Sequence, residues 1–455
     1  AAVAADSKLC SDIGKEMLLQ GGSAVDGAIA ALLCTSVVNP QSMGIGGGSI
    51  LAIRNKTGNV TVYNFRETVP KNSTLSLFVY NVDLNFAGSQ WIGVPGELRG
   101  YEAVHKLYGK LPWAKLFEPT IKLARKGIPM PPYLSQRMVI KRDIIQLKPT
   151  ALSEVLCNKN NVSLGKEEIL KFPKLAETME TIAKQGADAF YNGMIGQDLI
   201  QDIKNAGGTL SMEDLRSFKV QVENAWTVPL GNIRMHIPPP PSGGPLLAFI
   251  LGIMKDYPFT AGSPNVNEKI QMYHHYIEAV KFANGQKKNI RDPIFSDRKV
   301  TIKNMTCQSF SNRIRKMISP NSTHENTYYN NVEPPFDNFG TTHVSVMDQN
   351  GLVVSATSTI NQLFGGAVYS PRTGIILNNE LADFCFHNAT NNFCSTAHDF
   401  CLSPVGERPP SSMAPTILES KSGGVLAIGG SGGSMITTAM ALVNLNLIFF
   451  DSNIE

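Results

Sequence analysis

Apolar residues recur along this chain at two different periods, and the switches between them lay out its elements. Cys10 to Gln20 carries the helical spacing and stops at Gly21-Gly22. Ser23 is then placed to cap a second, nearly all-apolar helix to about Val38, where Asn39-Pro40 ends it. The apolar run Ile50 to Ile53 and the alternating Val60 to Phe65 predict strands. Gly93 to Gly100 opens a helical region that continues through Leu111-Pro112-Trp113 to Lys126. Residues 130–220 look mainly helical, and a helix over Leu246–Lys255 follows the stiff Pro238-Pro239-Pro240-Pro241 segment. Residues 284–338 are polar, Asn-rich and Pro-punctuated, which predicts a mobile loop. Period two returns through Val344, Val346 and Val353-Val354. The turn Asp348-Gln349-Asn350-Gly351 between them contains Asn-Gly, a strong hairpin signal.

Composition narrows the class. The 455 residues are 43% hydrophobic and 17% charged, enough for an ample core. At roughly 100–200 residues per domain they could form two to four units. A net charge of +4, with no Lys/Arg run of five, argues against nucleic acid as a partner. No apolar stretch reaches the ~18 residues of a membrane span. The nearest, Ala439 to Phe450, is broken by Asn444 and Asn446.

Seven N-x-Ser/Thr triplets begin at Asn55, Asn59, Asn72, Asn161, Asn304, Asn321 and Asn388, which points to a secreted or lumenal glycoprotein. Seven cysteines fit that compartment and leave one thiol over. Gly22 lies twelve residues from both Cys10 and Cys34. The ends of an antiparallel helical hairpin would therefore bring the two together as a disulfide.

Several segments offer chemistry. Met43-Gly44-Ile45-Gly46-Gly47-Gly48-Ser49 lacks the third glycine of a dinucleotide loop, so tight packing beside a site is the better reading. His274-His275 are adjacent, whereas zinc helices need two histidines at i and i+4, and no metal or other cofactor is expected. Gly429-Gly430-Ser431-Gly432-Gly433 satisfies G-x-S-x-G. No His follows Ser431, so the serine-hydrolase order fails. Consecutive glycines can instead aim two N–H groups at one point, an oxyanion hole. Gly340-Thr341 opens the hairpin. A Thr hydroxyl becomes a usable nucleophile when a base takes its proton, and the α-amine of an N-terminal Thr is one such base. That chemistry requires cleavage of the Gly340–Thr341 bond. Glu380 and Asp383, three apart, could bracket a cation or share a proton.

Gly340-Thr341-Thr342-His343-Val344-Ser345-Val346, Ser355 to Asn361, Asn378-Asn379-Glu380-Leu381-Ala382-Asp383 and Ser411-Ser412-Met413-Ala414-Pro415 occur in this order. Together they resemble the small-subunit half of the gamma-glutamyltransferases, N-terminal-nucleophile hydrolases that cleave themselves before a Thr. The resemblance extends over the whole chain. It implies an α/β (α+β) four-layer αββα sandwich formed jointly by a large subunit, residues 1–340, and a small one, residues 341–455. It assigns Thr341 as nucleophile, Thr359 as the hydroxyl that orients it, and Gly432 and Gly433 as oxyanion donors. Asn361, Glu380 and Asp383 would hold the substrate α-ammonium, and Arg66 with Ser411 and Ser412 the α-carboxylate. Arg suits that task because it donates two parallel hydrogen bonds.

The implied substrates are glutathione and its S-conjugates, with water or an amino-acid or dipeptide amine as acceptor. Val368 to Leu377, Phe282-Ala283-Asn284-Gly285-Gln286, Val405-Gly406-Glu407-Arg408 and Leu363 look most like the gamma-glutamyl leukotrienase branch, associated with leukotriene C4. The family is held at the outer cell surface by an N-terminal membrane helix, which is expected upstream of Ala1. Its small subunit also continues with further strands, so a C-terminally shortened chain is expected. An uncleaved, non-catalytic surface glycoprotein of the same fold is the alternative. An asparaginase-like hydrolase would not need the Arg66 and Ser411-Ser412 grip.

Overall fold

The computed structural model describes residues 1–73, 87–146, 152–258, 265–296, 299–331, 340–384 and 404–449. Two antiparallel sheets lie face to face with helices outside each, the αββα arrangement expected. The first sheet has six strands, in spatial order β1 (Ala2–Ala5), β9 (Thr342–Met347), β10 (Val353–Thr359), β2 (Gly48–Arg54), β3 (Val60–Asn64) and β6 (Gln221–Asn224). The second runs β14 (Val425–Ile428), β13 (Thr416–Ser420), β8 (Ile233–Ile237) and β7 (Trp226–Leu230). Two short ribbons, β4 (Ile128–Pro129) with β5 (Ile169–Leu170) and β11 (Val368–Tyr369) with β12 (Ile376–Leu377), pin loops.

Strand alternation decides which face each side chain joins. On β9 and β10, Val344, Val346, Val354 and Ala356 face the helices α1 (Lys8–Leu19) and α2 (Ala24–Val38) in the largest core cluster. His343, Ser345, Ser355 and Thr357 face the second sheet. Helix α2 is buried along its whole length, which explains why its sequence is apolar all round. Ser23 starts it with a capping box to Asp26. The Cys10–Cys34 disulfide joins α1 to α2. On the far side, helix Gly244–Met254 packs against helix Ile436–Phe449 and the second sheet.

One expectation is corrected. Residues 284–331 are not a long loop. They fold into helices Lys299–Asn304 and Gln308–Arg315 and short 3-10 turns, with Ile302, Met305, Ile314 and Tyr329 buried. Phe310, Ile314 and Ile318 stand four apart, enough for a narrow apolar stripe despite the polar composition. Residues 332–338 of that segment lie outside the described residues, as do Asn388, Cys385, Cys394 and Cys401.

The other sequons sit at the surface. Asn59, Asn72, Asn161, Asn304 and Asn321 are exposed and Asn55 is partly so. Cys157 and Cys307 carry free thiols. Neither of the paired histidines is spare: His274 Nε2 is 2.7 Å from the Ser319 carbonyl oxygen, and His275 stacks on Tyr257. Among the described residues no helix is long and apolar enough to cross a membrane.

Candidate active site

The β9–β10 pairing places the ends of the two strands together. Thr342 pairs with Ser358, so Thr341 lies opposite Thr359. Thr341 Oγ donates to the Gly340 carbonyl oxygen at 2.6 Å, and Thr359 Oγ donates to the same oxygen at 2.8 Å. The Asn361 N–H donates to Thr359 Oγ at 2.8 Å, which leaves the Thr359 proton for Gly340. Gly340 N–H in turn donates to the Asn361 carbonyl at 2.9 Å. The peptide between Gly340 and Thr341 is thus held at both its flanks and at its oxygen. Thr342 Oγ donates to Asp6 at 2.5 Å and anchors the residue that follows Thr341.

The glycine cluster performs the packing expected of it. A side chain on Gly47 would meet the Thr359 carbonyl oxygen at 2.2 Å, and one on Gly46 the Ile376 carbonyl oxygen at 2.3 Å. Only glycine permits these approaches, which seat the loop against the end of β10.

A charged pocket adjoins this neutral corner. Arg66, 1% exposed, donates from Nη2 to Asp383 at 2.5 Å and lies 2.8 Å from Glu380 Oε2. Its Nε and Nη2 also donate to the carbonyls of Pro409 and Pro410 at 2.8 and 2.9 Å, just before Ser411-Ser412. Glu380 and Asp383 share a single 3-10 turn, held by Asn378. Asn361 sits at φ +73°, a left-handed conformation that Asn tolerates, and its Nδ2 donates to the Asn379 carbonyl. Ser411 Oγ accepts from Met413 N–H, and Ser411 N–H donates to Pro241. Gly432 and Gly433 both have positive φ, at +111° and +57°, directly ahead of helix Ile436–Phe449.

Burial sets the electrostatics. It pushes Glu380 up to about 8, against the pull of Arg66 and with help from Asp383. Burial works against the Arg66 charge too, but Glu380, Asp383 and Glu67 outweigh it and hold the guanidinium above its ordinary value. His343, partly buried, is pushed down to about 3 by desolvation and is neutral.

Two acids here escaped the sequence reading. Burial and the neighbouring Glu380 push Glu67 well above the carboxylate range, and neither of its oxygens meets a donor from another described residue. Glu97 is also buried, and burial pushes it up to about 7 against three hydroxyl hydrogen bonds. The signal for Glu97 was present: it shares a helical stripe with Tyr101 and Val104, which is an acid on a core face.

Residues 10–455 match the family model described as gamma-glutamyltranspeptidase. The chain is 45% identical to glutathione hydrolase 5 proenzyme of Rattus norvegicus, over 98% of this chain and 78% of the rat protein. The same comparison gives 44% identity with the Homo sapiens protein of that name, over 97% and 78%. Among solved structures, the gamma-glutamyltranspeptidase of Helicobacter pylori is 25% identical with a TM-score of 0.67, covering 72% of this chain and 94% of that one. With matches over nearly all of this chain, it belongs to the gamma-glutamyltranspeptidase family of N-terminal-nucleophile enzymes.

Proposed function

We propose that the chain removes γ-glutamyl groups through Thr341, after cutting itself between Gly340 and Thr341. As a family member it is a gamma-glutamyltransferase acting in glutathione hydrolysis and transfer. The observation that carries the residue assignment is the convergence of the Thr341 and Thr359 hydroxyls on one carbonyl oxygen.

Self-cleavage begins when Thr341 Oγ adds to the Gly340 carbonyl carbon, while Thr359 stabilises the charge growing on the oxygen. The C–N bond breaks, the nitrogen takes the proton, and the acyl group rests on Oγ as an ester. Water then hydrolyses the ester, leaving a Gly340 carboxylate and a free Thr341 amine. In turnover that amine takes the Oγ proton, Oγ attacks the γ-carbonyl, and the leaving amine departs with the proton. Gly432 and Gly433 N–H groups stabilise the oxyanion. The γ-glutamyl ester passes to water or to an amino-acid or dipeptide amine.

Substrate recognition follows from charge. A γ-glutamyl group carries an α-ammonium and an α-carboxylate. Glu380, Asp383 and Asn361 take the first, Arg66, Ser411 and Ser412 the second. The pocket draws on both sides of the cut: Arg66 lies in the large piece, residues 1–340, and the remaining groups in the small piece, residues 341–455.

Glutathione S-conjugates such as leukotriene C4 are the preferred substrates in this reading, supported by Leu363 and the branch-like segments around it. The exposed sequons support glycosylation and a place outside the cell, at the membrane surface or secreted. Intact mass and N-terminal sequencing of the purified, deglycosylated protein test the central claim. A fragment beginning Thr-Thr-His-Val is expected, and an uncut chain would overturn it. Side-by-side turnover tests the preference, which a clear advantage of glutathione over leukotriene C4 would remove.

A further inference from the structure

Directly behind the nucleophile corner, one carboxylate gathers three hydroxyls from three separate elements. Glu97 opens the helix Glu97–Tyr108 and is fully buried. Ser49 Oγ on β2 donates to it at 2.7 Å, Ser358 Oγ on β10 at 3.0 Å and Tyr101 OH, one helical turn on, at 2.5 Å. Ser49 and Ser358 are register partners, so Glu97 spans the β2–β10 pair at its last rung before Thr359. The same helix end holds the glycine loop, because Gly96 and Glu97 N–H both donate to the Gly47 carbonyl at 3.0 and 3.1 Å. Gly47 in turn presses against the Thr359 carbonyl. Thr359 is thereby fixed from two sides, through the Ser358 hydroxyl and through the Gly47 backbone, and both supports lead to residue 97.

We propose that Glu97 is a positioning residue for the nucleophile. Its carboxylate holds Ser358, and with it the backbone that aims Thr359 at the Gly340 oxygen, during self-cleavage and during turnover. The inference rests on the Thr341 reading above. Three donors need an acceptor with lone pairs to spare. A carboxylate accepts all three, whereas an amide presents only one oxygen and adds donors of its own. Glu97→Gln keeps the shape of the side chain and turns one of the accepting positions into a donor.

The test follows freshly translated full-length chains, made in a cell-free system with oxidising microsomes. Appearance of the fragment starting at Thr341 is measured against time. Glu97→Gln is expected to slow cleavage by about tenfold or more, the scale on which small misplacements of reacting groups act. In the fraction that matures, kcat for glutathione should fall by a similar factor while KM stays within about twofold, since the carboxylate bonds Ser49, Tyr101 and Ser358 and none of the residues assigned to the γ-glutamyl group. Ser358→Ala should reproduce the direction of change. The double variant should be no slower than the worse single one, because both act through one bond.

Wild-type cleavage and turnover in Glu97→Gln would overturn the proposal, as would a loss confined to KM or multiplicative effects in the double variant. Should Glu97→Gln fail to fold, Ser358→Ala decides by the same kcat-against-KM comparison. Cleavage of a Thr341→Ala chain would instead remove the nucleophile assignment itself. An uncut Thr341→Ala chain alongside a normal Glu97→Gln chain removes only the positioning role.

Discussion

Two neighbouring corners of this site are built from opposite materials. Around Arg66 the interior holds a guanidinium and three acids, Glu67, Glu380 and Asp383, in a volume nearly closed to water. Around Thr341 the direct contacts are hydroxyls and peptide groups, and among the described residues the Gly340 carbonyl accepts from the Thr341 and Thr359 hydroxyls alone. Buried charge is costly, and one cation among three acids cannot satisfy them all. Such a set is sensible where the ligand brings complementary charges of its own, which a zwitterionic γ-glutamyl group does. In the proposed mechanism the neutral corner has a different task, because its charge develops only in the transition state. The contrast separates recognition from chemistry, and substitutions at the two corners should fail in different ways.

The sharpest break is Thr341→Ala. It should leave a single uncut chain on a denaturing gel and remove turnover altogether, since both stages use the same oxygen. Next comes Arg66→Met, which strands buried acids at a cost of roughly 3–5 kcal/mol. It should lower kcat/KM for glutathione by about a hundredfold to a few thousandfold, mainly through KM, yet still yield the Thr341 fragment. Loss of self-cleavage in that variant would show that the corners are not separable.

Thr359→Ala removes one donor from the Gly340 oxygen. Cleavage should slow by about ten- to a hundredfold, as for a weak oxyanion donor, with KM little changed in whatever matures. The smallest effect is one of pH. Burial pushes Glu380 up to about 8, and a bound ammonium favours its ionised form. Below that pH a proton must leave on binding, so KM for glutathione should rise as pH falls from 8 towards 6, by at most about tenfold per unit. A flat KM profile would place the ammonium elsewhere.

Much of this arrangement was legible in the chain, and the limits have physical causes. The hairpin around Asn350-Gly351 and the capped helix after Ser23 follow from local rules, and both form as expected. The proposed nucleophile Thr341 and the acids Glu380 and Asp383 stood out through their motifs. Glu67 and Glu97 did not, because a lone Glu reads as solvated unless its face is known, and the face of Glu67 is set by Gly48 and Gly93 packing over it. The error at residues 284–331 came from composition: many asparagines masked a sparse four-residue spacing through Phe310, Ile314 and Ile318. The mutual engagement of Arg66 with Glu380 and Asp383 joins residues more than three hundred positions apart, which no local pattern encodes.

β9 has one further consequence. It begins immediately after the Gly340–Thr341 bond and lies inside the first sheet, hydrogen-bonded to β1 on one side and β10 on the other. β10 is in turn paired with β2. A cut there would divide the sheet between two polypeptides whose strands alternate across it: β1 from the first, β9 and β10 from the second, β2 and β3 from the first again. Neither product would own a complete sheet, because the second sheet also joins β7 and β8 to β13 and β14. The pieces should therefore stay together through any purification that leaves the fold intact, and should not reassemble when expressed apart and mixed. Covalent continuity would be needed to build this molecule and dispensable once it is built.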